Sequence, residues 1–411
     1  MPENELSRGW RLIFASCMGV ICSSIVLPYY TIGALVVPIT EEFGWTRAEF
    51  QMAILFSSGL GALTSPVIGW LIDRYGARRL AIPGLAGLSV GFVIAACMNG
   101  ELWMLYLAYA SMAVLGAGTI PVTWTRAIAT NFFNRRGLAL GLTLTGTGIC
   151  AVAAPHYTVW LTENYGWRVA YAGIALLPIF LAGPIVFLMF KPVEGVAGRD
   201  EGNEWQSEID SGLSFGEAMR SYRFWVLAVS ILLAYMGFSG IGTNLFPSLT
   251  DDGFSSSDAA TVQSIYGGSI VIGRVVVGYL VDRFWAPGVA AFALALPTVG
   301  ALIFFGAPSF YVAAAASFLI GFAAGAELDL MSFLAAKYFG LRHYAKIYAV
   351  LYSTLAVCSG TAPMLFAMVY DRTNSYDFSF LVASILFALS TVMVLFLGRY
   401  PDDFPSHPQD L

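Results

Sequence analysis

Charge is what this sequence has least of. Only 11% of its 411 residues are Asp, Glu, Lys or Arg, against 58% hydrophobic residues and a mean hydropathy of +0.72. A soluble domain carries roughly 25% charged residues, so a water-facing surface cannot be built from this inventory. Length alone would allow two or three soluble domains, but composition overrules it and the chain reads as an integral membrane protein. Histidine is scarce, and the five cysteines (Cys17, Cys22, Cys97, Cys150, Cys358) fall in apolar stretches at unrelated spacings. That pattern excludes a disulfide framework and a metal-ligand set, and it fits small buried apolar residues. With no phosphate loop and no nucleophile–base spacing either, neither an enzyme nor a cofactor or metal site is expected. No nucleic-acid partner is expected, and the net charge of −5 informs by position rather than by sum. The opening MPENELSRGW is polar and the apolar stretch after it is too long for a signal peptide, so no cleavable leader is expected.

What the sequence has in quantity is apolar runs of bilayer length, roughly 20 residues each. Twelve are expected, at about 11–37, 49–72, 80–99, 102–125, 137–160, 167–190, 223–247, 260–281, 288–306, 309–335, 345–370 and 378–399. The 42 glycines suit helices that approach closely in lipid through small side chains. With the N-terminus placed in the cytoplasm, the 21 Lys and Arg divide unevenly. Arg47, Arg168 and Arg372 fall outside, Arg126 and Arg274 fall within spans, and the other sixteen are cytoplasmic. The positive-inside rule then puts both termini in the cytoplasm. The polar stretch 191–222, rich in Gly, Glu and Ser, reads as a linker between a bundle at 1–190 and another at 223–400, with a cytoplasmic tail at 401–411.

The two halves repeat each other. GWLIDRYGARRL (69–80) returns as GYLVDRFWAPGV (278–289), and Ile32, Gly33 and Pro38 return as Ile241, Gly242 and Pro247 at the same offset. Gly44-Trp45-Thr46 matches Gly253-Phe254-Ser255, and Ala154-Pro155 in span five matches Ala362-Pro363 in span eleven. The expected fold is therefore an all-α membrane protein of twelve helices in two pseudo-symmetric six-helix bundles. Parallel repeats of this kind are a building plan of transporters with a site between the halves.

GWLIDRYGARR resembles the signature loop between spans two and three of the major facilitator superfamily, G-x-L-x-D-R-x-G-R-R/K, and the weaker copy after span eight fits the same superfamily. Within it, YYTIGALVVPITEEFGWTRAEF, the GRxxxGxLxD form of span eight and YGWRVAY resemble the oxalate/formate and monocarboxylate transporter branch, over about residues 10–400. The resemblance implies a secondary carrier in the cell (inner) membrane, moving a small organic anion, most naturally a carboxylate, with protons or by exchange with a counter-substrate. It also implies a gating role for Asp73, Arg74, Arg78, Arg79, Asp282 and Arg283. At the cytoplasmic helix ends, these groups form ion pairs that hold the halves together when the cavity faces outward and so bias a two-state equilibrium. The alternative is a purely topological role for the basic residues.

Ionisable groups inside a span are costly and face a cavity or a partner. Arg274 lies eight positions before Asp282, about 12 Å inward along a helix. In the resembled branch an arginine here holds the substrate carboxylate, and a guanidinium offers a planar fork for one. An internal ion pair and interfacial snorkelling are the alternatives. Arg126 either faces the cavity or pairs with an acid of span ten. Glu327 and Asp329 are well inside span ten, but two positions apart they cannot share a helix face. One is the candidate for proton coupling and the other for a fixed salt bridge, in an order the sequence leaves open. Tyr29, Tyr30, Trp124, Phe238 and Asn244 complete the candidate substrate site, with ordinary helix packing as the alternative for each.

The sequence also departs from the branch. Span eleven has no lysine deep within it, only Lys346 at its start, span one has none, and the Gly-Pro of span five is Ala154-Pro155. Exchange therefore has no particular support over proton symport. Two other functions remain: efflux of hydrophobic or cationic compounds, with Glu327 or Asp329 meeting the cation, and a non-transporting sensor of the same fold.

Overall fold

Helix starts follow short polar signals that recur in both halves. Thr46 accepts a hydrogen bond from the Glu49 amide while the Glu49 carboxylate accepts from the Thr46 amide, which closes a capping box. Ser255, the repeat equivalent of Thr46, accepts from the Asp258 amide in the same way. At Gly76 the backbone takes φ +83°, a left-handed turn that costs glycine little and lets the chain reverse between two long helices.

The computed structural model describes residues 5–132, 136–191, 212–281, 283–306, 309–340 and 343–401. Among them all regular structure is helical, apart from one isolated bridge between Gly212 and Gly340. In chain order the helices are α1 (Glu5–Ile21), α2 (Val26–Ile32), α3 (Val36–Phe43), α4 (Arg47–Tyr75), α5 (Ala77–Ala96), α6 (Leu102–Leu115), α7 (Pro121–Asn131), α8 (Arg136–Tyr165), α9 (Trp167–Leu176) and α10 (Gly183–Met189). A short α11 (Phe215–Arg220) precedes α12 (Tyr222–Asp251), α13 (Ser256–Val281), α14 (Ala286–Phe304), α15 (Phe310–Phe339), α16 (Tyr344–Thr373) and α17 (Asp377–Leu395).

Nine described helices, with the unbroken run of α9 and α10 counted once, are long and apolar enough to cross a bilayer. The number rises to eleven if two bent pairs each form one span. The span expected at 49–72 is missing from that count. It corresponds to one 29-residue helix, α4, and the count covers the described residues only. Among the described residues the count therefore reaches eleven of the expected twelve.

Two of the expected spans are bent pairs of helices. The first pair bends by 43° between α1 and α2, and the second by 56° between α6 and α7. The two breaks meet, because the Ser24 amide donates to Thr119 Oγ1 at 2.9 Å. Each break frees backbone groups that lipid cannot satisfy, so a break is tolerated where protein or a cavity covers it. Here Ile25, Ile120 and Pro121 beside the breaks line a cavity.

Two seams join the halves, α4 along α16 and α8 along α13. Ser58 and Ser359 hydroxyls lie 3.3 Å apart in the first seam. In the second, Ser264 Oγ donates to the Val152 carbonyl at 2.7 Å and lies 2.9 Å from His156 Nδ1. One proline inside a helix is compensated nearby. Pro363 removes the amide that would bond Ser359, and Ser239 Oγ donates to that carbonyl at 3.2 Å instead. All five cysteines are free; Cys22, Cys150 and Cys358 are buried as expected, whereas Cys97 is exposed at the end of α5.

Candidate functional site

A close helix crossing sets the position of the charged residues. On α15, Gly321 and Gly325 form a G-x-x-x-G pair facing Ser269 and Gly273 of α13. A Cβ on Gly325 would sit 2.0 Å from the Ile270 carbonyl oxygen, and one on Gly273 would sit 1.8 Å from that of Phe322. Only bare backbones fit at such a distance, which is the packing logic of small residues in lipid. Arg274 follows Gly273 directly and Glu327 stands two positions past Gly325, so the crossing holds both side chains against the space between the halves.

That space is a cavity of about 220 Å³. Tyr29 and Tyr30 of α2, Tyr235 and Phe238 of α12, and Arg274 of α13 and Glu327 of α15 reach it, together with Tyr266, Tyr352 and a few serines. The rings of Tyr29 and Tyr30 meet edge to face at 5.2 Å. The Tyr29 hydroxyl donates to the Ser239 carbonyl at 3.3 Å, so this residue of the first half already touches the second.

Arg274 is the cation of the cavity wall. Its Nε lies 3.2 Å from Asp329 Oδ2, and its Nη1 donates to the Leu144 carbonyl across the seam at 3.2 Å. Asp329 is itself 41% exposed at the side chain, and it is not among the residues lining the cavity. Glu327 is the opposite case. It is 5% exposed, it lines the cavity, and neither carboxyl oxygen has a hydrogen-bond partner among the described residues. The two acids that sequence spacing separated onto different faces thus have different surroundings.

The remaining candidates divide. Trp124 is fully buried within the first half, donates Nε1–H to the Thr119 carbonyl at 2.8 Å and packs edge-on against Phe190. Asn244 is buried between α12 and α16, donating to the Pro363 carbonyl at 3.1 Å and accepting from Gln51 Nε2 at 3.3 Å. Neither lines the cavity, and the contacts of both are those of packed side chains. Arg126 is exposed on α7 and also lies outside the cavity lining. Among the residues expected to gate, Asp282 lies outside the described residues, as does the Asp73 side chain. Arg74 lies 5.5 Å from the rings of Trp70 and Tyr75, Arg283 lies 4.0 Å from that of Tyr279, and Arg78 donates to the Phe187 carbonyl at 2.6 Å. These contacts stay within one half, and Arg79 is exposed.

Sequence reasoning missed Tyr235, Tyr266 and Tyr352. Aromatic residues are so common in this chain that no periodicity singles these three out. The broken helices did leave a signal, in Ser23-Ser24 and in the run Gly116 to Pro121, where polar and glycine residues interrupt apolar stretches.

Among the described residues no group of three or more His, Cys, Asp or Glu is placed to hold a metal ion. The sequence model described as Major Facilitator Superfamily matches residues 10–326 and 227–410. Human monocarboxylate transporter 14 is 23% identical over 96% of this chain and 91% of its own length. The uncharacterized MFS-type transporter YhjX of Escherichia coli is 28% identical over 75% of each chain, and rat monocarboxylate transporter 13 is 28% identical over 64% of this chain and 62% of its own. Among solved structures, a bacterial homolog of the human lysosomal transporter Spinster, inward-facing and unoccupied, superposes with a TM-score of 0.67 at 18% identity, over 97% of this chain and 95% of that one.

Proposed function

The chain belongs to the Major Facilitator Superfamily, whose members are alternating-access transporters rather than enzymes, and from that premise we propose that it carries a small organic carboxylate together with a proton. The observation that carries this reading is Arg274, a guanidinium on the wall of an otherwise tyrosine-rich cavity between the halves. Asp329 satisfies one edge of the guanidinium and leaves donors for a carboxylate. Relatives named monocarboxylate transporters support the substrate class. We read α4 as the remaining span, giving twelve in two bundles with both termini cytoplasmic, in keeping with the Lys and Arg distribution.

In this reading the acids of α15 divide the work. Asp329 is the fixed counter-ion that makes Arg274 tolerable at membrane depth. Glu327 is the proton carrier, since an ionised carboxylate without partners in a dry site is costly. The titratable and charged groups sharing its cavity are Tyr29, Tyr30, Tyr235, Tyr266, Tyr352 and Arg274. When Glu327 holds its proton, the cavity carries a net positive edge for an anion.

A melt of the purified protein against a panel of organic anions, beside Arg274→Lys, tests the reading. A ligand at 100 times its Kd stabilises by about 2.7 kcal/mol, a readable shift. One carboxylate class should shift the parent and not the variant. A second reading, export of amphipathic cations, draws on the same unpartnered Glu327 carboxyl among tyrosine rings. It takes over if cations, and no anion, shift the melt.

A further inference from the structure

The end of α4 opposite the arginine-rich motif carries a cluster of contacts that the family resemblance did not supply. Arg47, the first residue of α4, is buried. Its guanidinium grips both carboxylate oxygens of Asp251, at 2.5 and 2.8 Å, and also donates to the Tyr376 hydroxyl at 3.3 Å. The Tyr370 ring lies 3.8 Å from its Cζ. The backbone joins in as well. The amides of Arg47 and Ala48 donate to the two oxygens of Asp371, at 3.0 and 2.9 Å.

Each of these partners belongs to the other half of the molecule. Asp251 closes α12, Asp371 and Tyr370 lie in the last turn of α16, and Tyr376 precedes α17. One acid therefore takes the charge of α4's first side chain. A second takes the free amides and positive dipole end of the same helix, an anion-binding position that here is filled from across the seam. The repeat does not reproduce this arrangement. Ser256 stands where Arg47 would return, and Glu42, the equivalent of Asp251, bonds Trp167 and Arg168 of its own half. A feature that breaks the symmetry of two otherwise matching halves is not required by the fold.

Along α4 the seam then weakens away from Arg47. Gln51 reaches Asn244, Leu55 meets Gly360, and Ser58 meets Ser359. Beyond that point Gly59, Gly61 and Gly69 face open space, and Gly61 and Ser65 line the cavity. The halves are thus tied at the Arg47 end, and the arginine-rich motif lies about 40 Å along the same helix.

We propose that Arg47, Asp251 and Asp371 form a clamp that closes the cavity on the Arg47 side, and that its release is the step that opens this side. The clamp and the Asp73 motif then sit at opposite ends of one helix and act in alternation. The clamp is independent of what the cavity binds, so it stands or falls separately from the carboxylate reading.

The test uses the full-length protein in lipid nanodiscs, with the five native cysteines replaced and nitroxide labels on Glu101→Cys and Tyr311→Cys, exposed sites of the two halves. Electron–electron double resonance reads the distance between them. Arg47→Gln should raise the population at longer distances above that in the parent, and Asp251→Asn, made in the other half, should shift it the same way. Arg168→Gln, which breaks an ion pair within one half, should not. If Arg47→Gln does not yield folded protein, Asp251→Asn and Asp371→Asn carry the test. An unchanged distribution in folded clamp variants overturns the proposal, as does an equal shift with Arg168→Gln.

Discussion

Arg274 Nε lies 3.2 Å from Asp329 Oδ2, while the carboxyl of Glu327, two positions earlier on the same helix, is buried with no hydrogen-bond partner among the described residues. The 200° of rotation between these acids places one beside the guanidinium and the other on the cavity wall. Neutralising each should then have opposite consequences. Glu327→Gln keeps volume and removes only the titrating proton. It should abolish proton-driven net uptake and its pH dependence, while counterflow of labelled substrate continues. Uptake and counterflow in proteoliposomes check this, and equal loss of both would make Glu327 a substrate ligand instead.

Asp329→Asn leaves Arg274 without its counter-ion. The loss leaves the guanidinium uncompensated inside a span, so the variant should melt lower than the parent. The unmasked guanidinium should tighten anion binding and slow release, so the expected signature is a lower Kd for the carboxylate with a lower turnover. Binding by calorimetry and flux in vesicles measure the two quantities separately.

How far the sequence disclosed this arrangement depends on the kind of signal. The long apolar runs and the repeated Asp-Arg junctions are one-dimensional patterns, and their described residues lie in helices or at helix ends, while most of the expected linker lies outside the described residues. Arg274 and Glu327 were visible because a charge in an apolar run is rare. Trp124 and Asn244 lie away from the cavity because a span's rotation about its own axis is set by partners far away in the chain, here Phe190 and Pro363. The Arg47 clamp escaped notice for a related reason. An arginine after a loop threonine looks like an ordinary helix start, and only the fold brings Asp251 and Asp371 to it. The breaks at Ser24 and Thr119 likewise make sense only once the two meet.

Trp124→Ala gives a direct check that this indole is structural. It fills space between α1 and α7, and a Cβ on Gly19 would lie 2.4 Å from it. Emptying a site of that size costs about 3–5 kcal/mol. The variant should melt lower, yet the rank order of anions that shift its melt should match that of the parent.

Gly325→Ala tests the crossing that positions the site. The added methyl would stand 2.0 Å from the Ile270 carbonyl, which is backbone and cannot swing aside. Overpacking of this kind costs about 1–3 kcal/mol, and α13 must move away from α15 to relieve it. Arg274, whose Nε also approaches the Gly325 carbonyl at 3.4 Å, would shift with it. A lowered melt together with weakened carboxylate binding is the expected pair of results. A lowered melt alone would separate packing from recognition.

Asp252, outside the spans and next to the clamp, sets a pH dependence of its own. Partial burial holds its pKa above the usual aspartate value of 3.8, and the neighbouring Asp377 and Asp251 push it further in the same direction. The folded protein therefore binds this proton more tightly than the unfolded chain does. The stabilisation from that proton is fully present below 3.8 and is lost as pH rises through the folded value. Asp252→Asn removes the charge at every pH. It should raise the melting temperature near neutrality, with the advantage shrinking to nothing as the pH is lowered towards 3.8. Melting curves of parent and variant across that range decide it. An advantage that persists unchanged at low pH would mean that the asparagine stabilises by a new hydrogen bond and not by relieving repulsion among the three acids.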